Sequence, residues 1–177
     1  MLLKNLKYAW VLISLYSVTA CHIHAQKTTG MVKDAAFDKT ITGLLDFEVT
    51  AISVSDLQKM KEVLLLDARE EEEFAVSHIP GAVHIGYNHW SKEAVKNINM
   101  EKKIVVYCSV GYRSEKIGKK LKDLGFENVY NLYGSIFEWA NQGLPLESSD
   151  GSKTNKIHTY NKNWSKWVLN KEILKVW

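Results

Sequence analysis

One cysteine and one arginine lie close together in a pattern that could support nucleophilic chemistry. Cys108 follows an apolar run, residues 104–107, that begins after Lys103, and Arg113 comes shortly afterwards, with Gly111 between them. A short apolar run of this kind is typical of a strand buried on both faces of a parallel sheet. Apolar residues then recur at helical spacing over residues 117–124 and stop at a glycine, which predicts a helix.

The loop between this strand and this helix should favour an ionised thiol. Loop amides and the positive end of the helix dipole converge on the first side chain of such a loop. A thiol there ionises closer to neutral pH, and the thiolate is the nucleophilic form. Gly111 can adopt a positive φ, and Arg113 adds a permanent planar charge. The candidate site is therefore the nucleophile Cys108 with its binding loop, Ser109, Val110, Gly111, Tyr112, Arg113 and Ser114. An inert buried thiol is the alternative, and the glycine, the arginine and the helix start argue against it.

Other motifs lie on both sides of this loop. They are Leu64–Glu70 with Glu73 and Phe74, His78–Ala82, Leu132–Gly134 with Trp139, and Gly143–Leu146. In order and spacing, these motifs and the Cys108 loop resemble the rhodanese-like sulfurtransferase domain. The resemblance implies an α/β fold with a central, mostly parallel five-stranded sheet and helices on both faces. The alternation of predicted strands and helices independently favours a parallel sheet with right-handed crossovers.

The resemblance also implies an activity. Such a domain would move a sulfane sulfur, from thiosulfate or another donor, to a thiophilic acceptor through a persulfide on Cys108. It would need a small-molecule donor and acceptor, or a protein acceptor, and neither a metal nor an organic cofactor. Asp67 and Arg69, which follow a second apolar strand, are expected to support the loop by hydrogen bonding. The alternative is a local Asp–Arg turn pair without a role in chemistry.

Two other functions are compatible with parts of this pattern. Four residues separate Cys108 from Arg113, whereas five separate the two in dual-specificity, tyrosine and cell-cycle phosphatases. The shorter loop favours sulfur transfer over phosphate or arsenate chemistry. A non-catalytic or partner-dependent rhodanese module, acting as a sulfur carrier or as a redox or binding unit, is the remaining alternative.

The N-terminus has the pattern of an export signal. Two lysines precede an apolar run, residues 8–20, that is too short to span a bilayer comfortably, and small residues follow it. We expect residues 1–25 to be a signal peptide and the protein to be exported, in the periplasm. Residues 18–21 also resemble the lipidation box of bacterial lipoproteins, so a membrane anchor is expected only if Cys21 is lipidated.

The rest of the chain divides into three parts. Residues 26–45 are expected to be an irregular N-terminal arm, residues 46–147 the rhodanese-like domain, and residues 148–177 a linker and a tail. Apolar residues and lysines are interleaved in the tail, which predicts a short amphipathic helix. We expect it to fold back on the domain, with docking on a partner or membrane surface as the alternative.

Composition adds little evidence for a charged partner. The net charge is only +3, with 23 basic and 20 acidic residues, so nothing indicates nucleic acid binding. The acidic run 70–73 is expected to be the solvated face of a helix without a catalytic role. His78, His84 and His89 have no ligand spacing and predict no metal site. Ser135 stands where relatives commonly have glycine, which leaves the local turn geometry open.

Overall fold

The computed structural model describes residues 28–177, and a five-stranded sheet lies at its centre. The strands are β1 (Thr50–Ile52), β2 (Val63–Asp67), β3 (Val83–His84), β4 (Lys103–Tyr107) and β5 (Val129–Leu132). They are ordered β1-β5-β4-β2-β3, and every neighbouring pair is parallel. The expected parallel sheet is therefore confirmed. The predicted signal peptide and Cys21 lie outside the described residues.

Helices cover both faces of this sheet. They are α1 (Ala35–Thr42), α2 (Val54–Lys59), α3 (Glu71–Val76), α4 (Tyr112–Asp123) and α5 (Ser135–Asn141). Successive residues of a strand point to opposite faces. Accordingly, Val105 and Tyr107 of β4 pack in one apolar cluster, with residues of α1, α2 and α5. Ile104 and Val106 pack in the other, with residues of α4. The helices on both faces confirm the predicted α/β class.

The N-terminal arm differs from the expectation of an irregular segment. It contains α1, which is capped by Asp34, whose side chain accepts a hydrogen bond from Phe37 N (2.7 Å). Phe37 and Ile41, one helical turn apart, are completely buried. Two apolar positions give little periodicity in the sequence, so tertiary packing rather than a visible pattern defines this helix. The packed unit thus begins before residue 46.

The tail also differs from the expected amphipathic helix. After a short antiparallel pair, β6 (Leu146–Glu147) with β7 (Lys153–Thr154), it forms β8 (Lys156–His158) and β9 (Leu174–Val176), which are parallel. A single 3-10 turn, Ser165–Trp167, lies between them. Asn161 and Asn170 each accept a hydrogen bond from a backbone N–H two residues on. Such local bonds compete with helix formation.

The tail nevertheless folds back on the domain. Val168 is 1% exposed, and the Trp167 ring stacks on Phe37 of α1 with 5.4 Å between ring centroids. Ser53 and Asp56 form a capping box at the start of α2, and Lys92–Val95 form a 3-10 turn. Within residues 28–177, none of the helices is both long and apolar enough to cross a membrane.

Candidate active site

The loop that follows β4 curls around the sulfur of Cys108. Cys108 is the first residue after the strand, and α4 begins at Tyr112. Gly111 has a φ of 127°, a conformation that side-chain-bearing residues rarely adopt. This turn brings the Gly111 N–H to 3.2 Å from Cys108 Sγ, to which it donates a hydrogen bond. The structure thus brings Gly111 and Cys108 into contact within one loop.

The surroundings of the sulfur favour its ionised form. Burial raises the pKa of the Cys108 thiol, because a charge loses its hydration there. The Arg113 charge and hydrogen bonds from Ser114 and Gly111 act in the opposite direction and outweigh burial. The pKa therefore lies below its ordinary value of 9.0. A larger fraction of Cys108 is consequently a thiolate at neutral pH than for an ordinary cysteine.

Asn131 holds this loop in place, although sequence reasoning did not select it. Its Nδ2 donates to Gly111 O (3.0 Å), and its Oδ1 accepts from the Ser114 hydroxyl (2.7 Å). The same hydroxyl lies 3.6 Å from Cys108 Sγ and 3.0 Å from Gly111 O. Asn131 is completely buried on β5. The sequence does contain a signal that could have identified Asn131. It is an amide side chain within an otherwise apolar strand, near the strand end that carries the site.

Ser135 provides a second support for the nucleophile. Its hydroxyl accepts a hydrogen bond from Cys108 N (3.1 Å) and donates one to Leu132 O (2.9 Å). Ser135 has a φ of 50°, in the left-handed region that favours glycine. Ser135 thus adopts a turn that glycine would form more easily. In return, its hydroxyl provides a hydrogen-bond partner for the buried N–H of Cys108.

Glu73 contradicts the expectation that the acidic run is solvated throughout. Glu71 and Glu72 are exposed, but Glu73 is 1% exposed. Its carboxylate accepts two hydrogen bonds from the Arg113 guanidinium, at 2.6 and 2.8 Å. It also accepts one from the Ser109 hydroxyl at 3.2 Å. Glu73 lies on the face of α3 that packs inward, and the sequence does not distinguish this acid from its neighbours.

The ion pair with Glu73 partly neutralises the charge of Arg113, the only arginine of the loop. Burial alone would raise the pKa of Glu73, but the hydrogen bonds and charge of Arg113 lower it below its ordinary value. Glu73 is thus an anion, and it offsets much of the positive charge that the sequence assigned to the site. Arg113 therefore attracts anions only weakly. Its ion pair with Glu73 also links α4 to α3.

Asp67 and Arg69 do not make the expected hydrogen bonds to the loop. Their side chains bond to each other, at 2.6 to 3.1 Å, and Arg69 also donates to Ser77 O (2.6 Å). Because only Ala68 separates them at the end of β2, the two side chains pair with each other, as in the alternative interpretation. Arg69 also lies over the ring of Tyr107, whose hydroxyl accepts from Ile79 N (3.1 Å). Their support of the loop is thus indirect, through the residue before Cys108.

A cleft of about 270 Å³ opens at the loop. It is lined by Glu70, Tyr87, Asn88, Cys108, Ser109, Val110, Tyr112, Arg113, Tyr160 and Trp164. Cys108 is only 1% exposed, so its sulfur lies at the bottom of this cleft. Gly111 and Ser114 contact the sulfur but do not line the cleft. Tyr160 and Trp164 belong to the tail, and no sequence pattern predicted their position in the cleft.

Two of the three histidines considered for a metal site, His78 and His84, form ordinary hydrogen bonds. A ring nitrogen of His84 bonds to Arg69 O (2.8 Å), and one of His78 to Phe74 O (3.2 Å). No group of three or more histidine, cysteine or acidic residues among the described residues is arranged to hold a metal ion.

Comparison with known proteins gives consistent matches. The family model of the rhodanese-like domain matches residues 50–142. The chain is 30% identical to thiosulfate sulfurtransferase GlpE of Actinobacillus succinogenes over 106 residues, which is 60% of this chain and 95% of that protein. It is 31% identical to tRNA uridine(34) hydroxylase of Erwinia tasmaniensis over 124 residues, 65% of this chain but only 35% of that protein.

Solved structures are similar over about two thirds of the chain. The polysulfide-sulfur transferase homodimer of Wolinella succinogenes matches with a TM-score of 0.51 and 25% identity, over 65% of this chain and 89% of that one. The BH2092 protein of Bacillus halodurans matches with a TM-score of 0.53 and 25% identity, over 67% and 88% of the two chains. Cys108, Arg113 and Glu73 all lie within residues 50–142.

Proposed function

Because this chain belongs to the rhodanese-like domain family, whose sulfurtransferases it resembles, we propose that it transfers sulfane sulfur through a persulfide on Cys108. The observation that carries this proposal is the sulfur itself. It accepts a hydrogen bond from Gly111 N at 3.2 Å, at the bottom of an open cleft. This hydrogen bond favours the thiolate form, and the cleft gives a small donor a path to it.

The reaction divides into two halves. In the first, the Cys108 thiolate attacks the outer sulfur of the donor. The bond between that sulfur and the rest of the donor breaks, and the leaving group takes the electron pair. In the second half, a nucleophilic acceptor attacks the terminal sulfur of the persulfide, and Cys108 leaves as a thiolate. Neither half needs an external oxidant or reductant.

The loop residues have defined roles in this scheme. The N–H groups that stabilise the thiolate also lie close to the negative charge of a persulfide, so they stabilise the intermediate. Arg113 adds a partly compensated positive charge. The named relatives support sulfur donors in general: one is a thiosulfate sulfurtransferase and another a polysulfide-sulfur transferase. We propose a small-molecule donor for this chain, with either a small molecule or a protein thiol as acceptor.

Initial-rate kinetics test the proposal. With cyanide as the acceptor and thiosulfate or a thiosulfonate as the donor, we expect thiocyanate formation with ping-pong kinetics, as for a covalent intermediate. Cys108→Ser should be inactive while retaining the fold by circular dichroism. Turnover in that variant at the wild-type rate would contradict the proposal. Sulfur uptake by Cys108 without release to any acceptor would favour the carrier alternative.

We also propose that the protein is exported, on the basis of residues 1–25 of the sequence. Fractionation of the native host with an antibody against the protein should find a periplasmic form that begins near residue 26. A lipid on Cys21, detected by mass spectrometry, would instead identify a membrane-anchored lipoprotein. A full-length cytoplasmic protein would contradict both.

A further inference from the structure

Two aromatic residues from outside the family match line the active-site cleft. The family model ends at residue 142, whereas Tyr160 and Trp164 lie in the tail. In the cleft they join Tyr87 and Tyr112. The tail therefore adds an aromatic wall to a site whose nucleophile and loop lie in the family domain.

The segment that carries this aromatic wall, formed by Tyr160 and Trp164, is anchored to the domain on both sides. Before it, the Thr159 N–H donates to Val176 O of β9 (2.7 Å), and Thr159 is completely buried. Within it, Asn161 Oδ1 accepts from Trp164 N (3.2 Å). After it, Trp167 stacks on Phe37 of α1. Residues 159–164 thus form a fixed part of the cleft rather than a loose chain end.

The charged residues that line the cleft do not favour a dianion. Arg113 is bound along one edge by the Glu73 carboxylate, and the Tyr160 ring covers its face at 5.3 Å. Among the other lining residues, Glu70 has an acidic side chain, and Cys108 becomes negative when it ionises. A doubly charged donor would lose hydration on entry and meet these groups, whereas the charge of Arg113 is already partly compensated.

We propose that Tyr160 and Trp164 determine donor specificity. They select a sulfane donor that has an aromatic or other apolar group and at most one negative charge, in preference to the inorganic dianion thiosulfate. The proposal rests on the sulfur-transfer function above. For a thiosulfonate, the thiolate attacks the terminal sulfur, the sulfur–sulfur bond breaks, and a sulfinate leaves with the electron pair. The apolar group of that leaving sulfinate is the part that the aromatic wall would contact.

Three donors with the same terminal sulfur separate the effects of charge and apolar area. Benzenethiosulfonate and methanethiosulfonate each have one negative charge, and thiosulfate has two. We expect kcat/KM to decrease in the order benzenethiosulfonate, methanethiosulfonate, thiosulfate. In Trp164→Ala and Tyr160→Ala, the ratio of kcat/KM for benzenethiosulfonate to that for thiosulfate should fall about tenfold, corresponding to ~1.4 kcal/mol. The loss should be mainly in KM for the aromatic donor.

The controls use aromatic residues of the same tail. Trp177 is 59% exposed and does not line the cleft, so Trp177→Ala should keep the wild-type ratio. Tyr160→Phe and Trp164→Phe retain an aromatic ring and should restore most of it. An unchanged ratio in both alanine variants, or a wild-type enzyme that prefers thiosulfate, would overturn the specificity proposal and leave sulfur transfer intact. A wild-type enzyme that accepts sulfur from none of the three donors would overturn both.

Discussion

At the scale of single residues, the ionisation of Cys108 depends on which acceptor receives the hydrogen bond of the Ser114 hydroxyl. Ser114 has one proton to donate, and three acceptors lie within reach: Cys108 Sγ, Gly111 O and Asn131 Oδ1. A negative sulfur competes for that proton better than a neutral thiol does. Ionisation of Cys108 and orientation of the Ser114 hydroxyl are therefore coupled.

Replacing this hydroxyl should reduce the reactivity of the thiol. In Ser114→Ala, we expect the pKa of Cys108 to rise, because a hydrogen bond to the thiolate is lost. The pH dependence of iodoacetamide alkylation measures this: the rate of the variant at neutral pH should fall, and its titration curve should shift to higher pH. Equal curves for the variant and the wild type would show that the 3.6 Å contact has no electrostatic effect.

The buried Glu73 gives a second residue-scale prediction. In Glu73→Gln the Arg113 charge is no longer compensated, so we expect thiosulfate turnover to improve relative to benzenethiosulfonate. The same change removes one partner of a buried ion pair, which should lower the free energy of unfolding by about 3 kcal/mol. Glu72→Gln, on the exposed side of the same helix, is the matched control and should change neither quantity.

The difference in the free energy of unfolding between wild type and Glu73→Gln should depend on pH. The folded-state pKa of Glu73 is lowered, so its stabilising contribution is fully present above its ordinary pKa of 4.5 and is lost as the pH falls through the lower folded value. Chemical unfolding of wild type and Glu73→Gln at several pH values should therefore converge in acid. A difference that stayed constant down to the lowest pH at which the protein folds would contradict this assignment.

At the scale of secondary structure, the ends of β4, β5 and α3 build the site. The apolar run of β4 and the loop glycine could be predicted, because local chemistry determines both. The inward position of Glu73 could not be, since a helix of six residues (α3) gives too little periodicity to separate its buried face from its exposed face. Likewise, the contact of Ser135 with Cys108 depends on how two separate strand ends meet.

The turn at Ser135 allows strain and hydrogen bonding to be separated. Ser135→Gly loses the hydroxyl but relieves the positive φ, whereas Ser135→Ala loses the hydroxyl and keeps the strain. We expect the glycine variant to be about 1 kcal/mol more stable than the alanine variant, from the cost of the left-handed conformation. Denaturant unfolding measures the difference. Equal stability would indicate that the turn relaxes without strain.

At the scale of the whole molecule, the tail and α1 complete the domain from its two ends. The sequence patterns assigned α1 and the tail to segments outside the domain, because such patterns show only local order. The stacking of Trp167 on Phe37 instead joins residues that are far apart in the chain. The placement of Tyr160 and Trp164 in the cleft has the same origin. The helix predicted for the tail was wrong because short polar residues form turns there in place of a continuous helix.

Removing the tail should therefore destabilise the protein as well as open the cleft. A chain that ends at Ile157 loses β9 and exposes the surface that Val168 and Trp167 cover. We expect a lower Tm, and in the point variant Val168→Ala a loss of about 2 kcal/mol in the free energy of unfolding. Leu169→Ala, at a neighbouring position that is 49% exposed, is the matched control. An unchanged Tm on truncation would show that the tail does not stabilise the domain.

The most direct test of the central claim is the mass of the protein after reaction with a donor and without an acceptor. Reduced protein treated with thiosulfate or benzenethiosulfonate should gain about 32 Da, the mass of one sulfur atom, and digestion should locate it on Cys108. Added cyanide should remove the extra mass, and Cys108→Ser should gain none. No gain with either donor, or an equal gain in the serine variant, would contradict a sulfur-transferring Cys108.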